Sequence, residues 1–150
     1  MTNSSSSLNG RILLLDDNSL GLAARRSVLE ELGHKVATSG APHEALELCG
    51  KQNFDVVVTD YKMPKMNGVE FITRLRKQNP SVSVILISGF TDTLGLNEAN
   101  TGADVVIQKS SHEVSHLIRS VNRLLRKRLQ PPRKPSGSQP GSKTDKRKTK

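Results

Sequence analysis

The sequence predicts an α/β domain in which five strand–helix units wrap one open parallel sheet. Three observations carry that reading. Five short apolar runs recur along the chain, at residues 12–15, 36–37, 54–58, 82–87 and 105–107. They are rich in β-branched residues and apolar throughout, the pattern of strands covered on both faces. The stretches between them have helical spacing with clear starts and stops, and strands alternating with helices imply a parallel sheet.

The helices follow in order. The first spans residues 18–32, with Ala24, Val28, Leu29 and Leu32 on one face. Gly33 is placed to take the left-handed conformation that ends a helix. The second begins at Pro42, whose fixed φ suits a first turn, and ends at Gly50 with Ala45, Leu48 and Cys49 inward. The third has Asn67 as its cap, Glu70 three residues on, and Val69, Ile72 and Leu75 as its apolar face. It stops before Asn79-Pro80. The fourth, over 91–99, is weakened by the internal Gly95. The fifth opens on a capping-box signature, Ser110 with Glu113, and runs on as a stripe of Val114, Leu117, Ile118, Val121, Leu124, Leu125 and Leu129. Five such units in a chain of 150 residues suit the flavodoxin-like (βα)5 arrangement, with strand order 2-1-3-4-5.

Charge divides the chain unequally. The net charge is +9, yet residues 1–122 hold 12 Lys/Arg against 13 Asp/Glu, while residues 123–150 hold 11 against one. The body is near neutral and the end is basic. Residues 131–150 contain no aliphatic or aromatic side chain, so burial cannot offset the entropy of ordering them. The expected division is a disordered leader over 1–9, one domain over 10–129 and a disordered basic tail over 130–150. A single cysteine, Cys49, excludes an internal disulfide and a Cys-based zinc site. No apolar run approaches the ~18 residues of a membrane span, and the Ser-rich start lacks the apolar core of a signal peptide. The expected location is the cytoplasm. With no Trp, one Tyr and three Phe, an aromatic platform for single-stranded nucleic acid is not expected.

In an open parallel sheet the ligand site lies at the carboxyl ends of the strands, where the strand order reverses. Here the first strand ends Leu15-Asp16-Asp17 and the third ends Val58-Thr59-Asp60. The fourth ends Ile87-Ser88-Gly89 and the fifth Ile107-Gln108-Lys109. Taken singly, Asp16 and Asp17 read as helix caps, Asp60 and Ser88 as turn residues and Lys109 as a surface lysine. Their shared strand end turns them into a candidate site. Two like charges ~4 Å apart repel by about 4 kcal/mol at an effective dielectric near 20. A hard divalent cation relieves that repulsion, and Mg²⁺ takes one or two carboxylates together with water and phosphate oxygens. With the Lys109 ammonium and Ser88 hydroxyl beside it, the set suits phosphoryl transfer onto a carboxylate. Other chemistries lack their motifs: there is no GxxxxGK[ST], no GxGxxG after the first strand and no GxSxG. His34 and His43 share no strand end with the others. His112 and His116 have i, i+4 spacing but no third ligand, which predicts an exposed helix face.

The residues Asp60-Tyr61-Lys62-Met63-Pro64-Lys65-Met66-Asn67-Gly68 follow a D-x-x-M-P-x-M-x-G pattern. With Asp16-Asp17, Ser88-Gly89, and Gly102-Ala103-Asp104 leading to Lys109, they make residues 11–129 resemble the receiver domain of two-component response regulators. The resemblance implies a signalling domain rather than an enzyme. It implies that Asp60 accepts a phosphoryl group from a histidine kinase or phosphotransfer protein. It implies that Asp16, Asp17, Asp60 and the main-chain carbonyl of Lys62 hold Mg²⁺, Asp16 mainly through water. Lys109 and Ser88 would bind the acyl phosphate, and the output would be a downstream protein contact on the face of the fourth helix, fifth strand and fifth helix. Two positions depart from the family pattern: Val106 stands where an aromatic switch residue is usual, and Ser110 where a proline usually follows the lysine. With Ser110 a trans bond after Lys109 is expected. No output domain follows in this sequence, so a single-domain regulator is the expectation. The alternatives are a receiver-like binding module that does not switch, and a nucleic-acid-associated protein acting through the basic tail.

Overall fold

The computed structural model describes residues 9–89 and 91–129. The expected leader, apart from Asn9, and the expected tail over 130–150 lie outside the described residues, as does Phe90. The five strands are β1 (Arg11–Leu15), β2 (Lys35–Ser39), β3 (Val56–Asp60), β4 (Ser83–Ser88) and β5 (Val105–Gln108). They form one parallel sheet in the order β2-β1-β3-β4-β5, the flavodoxin-like order that the strand–helix alternation predicts.

Each face of the sheet has its own core. On one side Ile12, Leu14, Val56, Val58, Ile85 and Ile87 meet Leu22 and Leu29 of α1 (Ser19–Glu31) and Leu117 and Val121 of α6 (Glu113–Leu129). On the other, Leu13, Leu15, Val57, Val84 and Leu86 meet Ala45 of α2 (Pro42–Lys51) and Phe71, Ile72 and Leu75 of α3 (Gly68–Gln78). Successive strand side chains point to opposite faces, so a strand buried on both must be apolar at every position. Each fully buried Leu, Ile or Phe contributes about 1.5–3 kcal/mol. β2 lies at the sheet edge and is only half-buried at Val36, Ala37 and Thr38, which is why its apolar run is the shortest.

Three helices differ from expectation. In α1 the inward residues are Leu22, Arg25 and Leu29, while Ala24 is exposed and Leu32 is 47% exposed. The apolar positions alone misplace the buried face because a charged residue, Arg25, lies on it. The fourth expected helix is broken into two single turns, α4 (Thr91–Leu94) and α5 (Glu98–Thr101), on either side of Gly95 at φ 64°. Asn97 caps the second turn through a reciprocal bond pair with Asn100. In α6 the Ser110–Glu113 capping box does not form, because the Glu113 carboxylate turns to Arg25. The Ser110 hydroxyl accepts the His112 N–H instead. The Asn67–Glu70 box of α3 does form, both bonds at 2.9 Å. His112 and His116 are exposed, as expected, and among the described residues no helix is long and apolar enough to cross a membrane.

Gly68 sets how closely α3 approaches β3. A Cβ there would lie 2.5 Å from the Asp60 carbonyl oxygen and 2.7 Å from Leu86 Cδ1. The Leu86 methyl can turn aside, but the Asp60 carbonyl is backbone and cannot move without shifting the strand end that carries Asp60. Gly50, inside α2, has open surroundings, with only Gln78 Nε2 near at 3.8 Å. The two glycines should therefore respond with opposite sign. Gly68→Ala is expected to lower the denaturant midpoint by an amount corresponding to about 1–3 kcal/mol. Gly50→Ala is expected to raise it by about 0.5–1 kcal/mol through helix propensity. A neutral Gly68→Ala in urea titration would contradict the close approach.

Candidate functional site

β1 and β3 are neighbours, so their carboxyl ends meet. Asp16 follows β1, and its N–H reaches the Ser39 carbonyl at 3.1 Å, which holds it in line with the sheet. Asp60 is the last residue of β3, opposite Ile87 of β4, and the Tyr61 N–H extends the ladder to the Ile87 carbonyl at 2.9 Å. Asp17 and Asn18 turn the chain into α1. The Asn18 side chain accepts the Leu20 and Gly21 N–H groups, and its own N–H donates to Asp16 Oδ1 at 3.0 Å. One carboxylate oxygen from each of Asp16, Asp17 and Asp60 lies within 4.8 Å of the other two. Asp16 and Asp60 are buried and Asp17 is exposed.

Lys109 enters from β5. Its N–H donates to the Ser88 carbonyl at 2.9 Å, and its Nζ stands 2.8 Å from Asp60 Oδ1. Its peptide bond to Ser110 is trans. Ser88 is buried at the end of β4, one strand over from Asp60. The open cleft above these strand ends, of about 520 Å³, is lined by Asp16, Asp17, Asp60, Lys62, Gly89 and Lys109. The structure thus brings Asp16, Asp17, Asp60, Lys62 and Lys109 to one cleft. Ser88 lies beneath it.

The donor set fits a hard divalent cation. All three side chains offer carboxylate oxygens, the ligands such ions prefer. Asp60 Oδ1 is buried and meets the Lys109 ammonium at 2.8 Å, one contact for an oxygen with two lone pairs. A buried oxygen in that condition retains acceptor capacity for a ligand.

Sequence reasoning missed Arg25 and the role of Glu113. Arg25 Nη1 pairs with Asp16 Oδ2 at 2.9 Å, and its Nη2 and Nε reach Glu113 Oε2 at 2.8 and 2.9 Å. The signal for it exists in the sequence: Arg25 stands at i+3 from Leu22 and i−4 from Leu29, inside an apolar stripe.

Burial pushes the Asp60 carboxyl above the usual carboxylate range. The Lys109 ammonium opposes this, Asp16 adds to it, and Arg25 opposes it more weakly. A carboxyl whose folded pKa exceeds its unfolded value binds protons more tightly when folded, so it costs stability as pH rises through that window. Asp60→Asn should therefore unfold at a higher temperature than the parent chain at pH 7. The gap should shrink as pH falls toward the ordinary carboxylate range. For a domain of this size about 1 kcal/mol appears as several degrees. A gap that widens on acidification, followed by thermal unfolding across pH 4–8, would overturn this account of Asp60.

Known proteins agree with this geometry. The profile of the response regulator receiver domain matches residues 12–122. The chain is 31% identical over 149 residues to a protein-glutamate methylesterase/protein-glutamine glutaminase of Anaeromyxobacter dehalogenans, a match covering 87% of this chain and 42% of that protein. It spans less than half the length of the curated relatives it matches. The receiver domain of the Francisella response regulator 1452 superposes with a TM-score of 0.73 at 31% identity, covering 80% of this chain and 99% of that one. The response regulator TrrA of Thermotoga maritima, solved in complex with Mg²⁺–BeF, superposes with a TM-score of 0.69 at 27% identity over 76% of this chain and 97% of that one. Sequence profile, sheet order and superposition converge, and the chain belongs to the response regulator receiver domain family of two-component signalling.

Proposed function

We propose that this chain works as a response regulator through a single receiver unit, residues 10–129, and accepts a phosphoryl group on Asp60 in a Mg²⁺-dependent reaction. The donor is a sensor histidine kinase or a phosphotransfer protein. The observation that carries the proposal is the setting of Asp60 Oδ1: buried, 2.8 Å from the Lys109 ammonium and beside two further carboxylates. A purely structural role needs one such pair and does not call for three carboxylates at one strand end.

Each residue has a distinct task. Asp60 supplies the nucleophilic oxygen; a P–O bond forms to it as the P–N bond of the donor phosphohistidine breaks. Asp17, Asp60 and the main-chain carbonyl of Lys62 would hold Mg²⁺, with Asp16 acting mainly through water, and the ion would neutralise charge on the transferring oxygens. Lys109, anchored through its N–H to the Ser88 carbonyl, offers its ammonium to the same oxygens. The Ser88 hydroxyl is the second donor, at the end of β4. The complex of TrrA with Mg²⁺–BeF supports this assignment by similarity. Output runs to a downstream protein on the face of α5, β5 and α6, where a groove is lined by Val106, His116, Arg119, Arg123 and Arg126.

Two outcomes are expected. Incubation with Mg²⁺ and acetyl phosphate should add one phosphoryl group, read by intact mass, and Asp60→Asn or excess EDTA should abolish it. An adduct of unchanged yield in either case would refute the assignment. Second, the half-buried Val106 cannot swing as an aromatic switch would, and its N–H is tied to Glu98 Oε2 at 2.9 Å. Beryllofluoride should therefore change amide exchange across residues 105–107 and the start of α6 only modestly, with the larger change at the β4 end. Strong new protection across 105–107 would show a switch that runs through β5.

A further inference from the structure

Arg25 is a cation inside the core. It is 6% exposed, on the inward stripe of α1, and it ties together three elements that the sheet brings to one end. Nη1 holds Asp16 Oδ2 at the end of β1, while Nη2 and Nε hold Glu113 Oε2 in the first turn of α6. Glu113 lies four residues beyond Lys109, which pairs with Asp60. The 109–113 segment is therefore bonded to the acidic cleft at both ends: by Lys109 to Asp60, and by Glu113 through Arg25 to Asp16.

Asp16 differs from its two neighbours as a result. Its Oδ1 accepts the Asn18 N–H and its Oδ2 accepts Arg25, so both oxygens are engaged from within the fold. Asp17 is exposed, and Asp60 Oδ1 is held by Lys109, a cation from a different strand end. In charge terms, three carboxylates face two built-in cations, Lys109 and Arg25. A buried guanidinium with two carboxylate partners is held in a fixed fork geometry, unlike a surface pair.

Resting on the reading that this cleft takes a divalent cation, we propose that Arg25 is a positioning residue and the internal counter-ion of that site. It holds Asp16 back from direct ligation, lowers the affinity for the cation, and couples cation loading to the seating of α6 through Glu113. A cation that draws on Asp16 competes with the guanidinium, and Glu113 is the partner that keeps Arg25 satisfied when Asp16 turns to the metal. Asp16 and Glu113 thus share one cation and exert opposite pulls on it.

The opposite pulls make the test directional. Mg²⁺ affinity is measured on the full chain by calorimetry, with the fluorescence of Tyr61, the only tyrosine and next to Asp60, as a second readout. Arg25→Met removes a unit charge near the ion and releases Asp16 Oδ2; Mg²⁺ should bind about tenfold more tightly. Arg25→Lys should restore much of the parental affinity. Glu113→Gln leaves Arg25 to Asp16 alone, so Mg²⁺ should bind more weakly. Arg26→Met, at the exposed Arg26–Glu30 pair one residue away, should change nothing. A merely structural Arg25 would weaken binding in both Arg25→Met and Glu113→Gln by loosening the site. Arg25→Met leaves Asp16 Oδ2 and Glu113 without their shared partner; if it does not fold, Arg25→Gln, which keeps an amide donor there but carries no charge, decides: tighter Mg²⁺ binding supports the counter-ion, and weaker or unchanged binding overturns it. Weaker or unchanged binding in Arg25→Met, or tighter binding in Glu113→Gln, overturns the inference while leaving the phosphoryl site standing. No saturable Mg²⁺ response in the parent chain overturns both.

Discussion

The structure depends on holding three carboxylates together at the end of two adjacent parallel strands. Like charges at that separation repel by several kcal/mol in a half-buried cleft. Two of the three, Asp16 and Asp60, are almost fully removed from water. They can stay there because the fold delivers cations to the same place. Lys109 arrives from β5 and Arg25 from α1, each within 2.9 Å of a carboxylate oxygen. The compensation is partial: burial still pushes the Asp60 carboxyl upward against the opposing lysine. A site that keeps more carboxylates than built-in cations is poised for a ligand that brings positive charge of its own.

The remainder of the fold keeps this cleft at fixed dimensions. β1, β3 and β4 are apolar on both faces and lie between two separate cores, so none can slide by one residue without turning its buried side chains to the wrong side. Asp60 is the terminal residue of a strand buried at all five positions. The backbone of α3 comes within contact of the Asp60 carbonyl because position 68 has no side chain, and the Gly68 N–H bonds to the Tyr61 carbonyl at 2.7 Å. The far end of the sheet is stitched separately. Arg76 bonds the carbonyls of Pro80, Val82 and Gly102 and pairs with Asp104, whose carboxylate also accepts the Val84 N–H.

Among the described residues the fourth crossover is the least regular connection. Instead of a continuous helix it has two turns around Gly95, where a left-handed φ interrupts the ladder. Short helical turns bury little and cost little to rearrange. This segment leaves the end of β4 next to Ser88 and returns through Glu98, which is bonded to β5 at Val106.

Most of the architecture was legible in the sequence. Uninterrupted apolar runs are forced by two-sided burial, and the alternation of strands with helices restricts the connection to parallel crossovers. The strand order then followed from chain length and fold class. Asp16, Asp17, Asp60, Ser88 and Lys109 were legible as strand-end residues, because a polar side chain directly after a buried strand is placed by the strand itself. The Asn67–Glu70 cap was legible because its bonds are local. What depended on partners distant in sequence was not. Arg25 lies 9 residues from one carboxylate and 88 from the other, so its place in the Leu22–Leu29 stripe was readable but the acids it meets were not. Glu113 carries a local capping signature that a buried guanidinium overrides, since a charge-assisted pair in a low dielectric outweighs a solvent-exposed cap bond. The sequence by itself determined which strands form and what stands at their ends; only the tertiary structure decided which cation neutralises which acid, because that choice is made by groups that meet only after the sheet has closed.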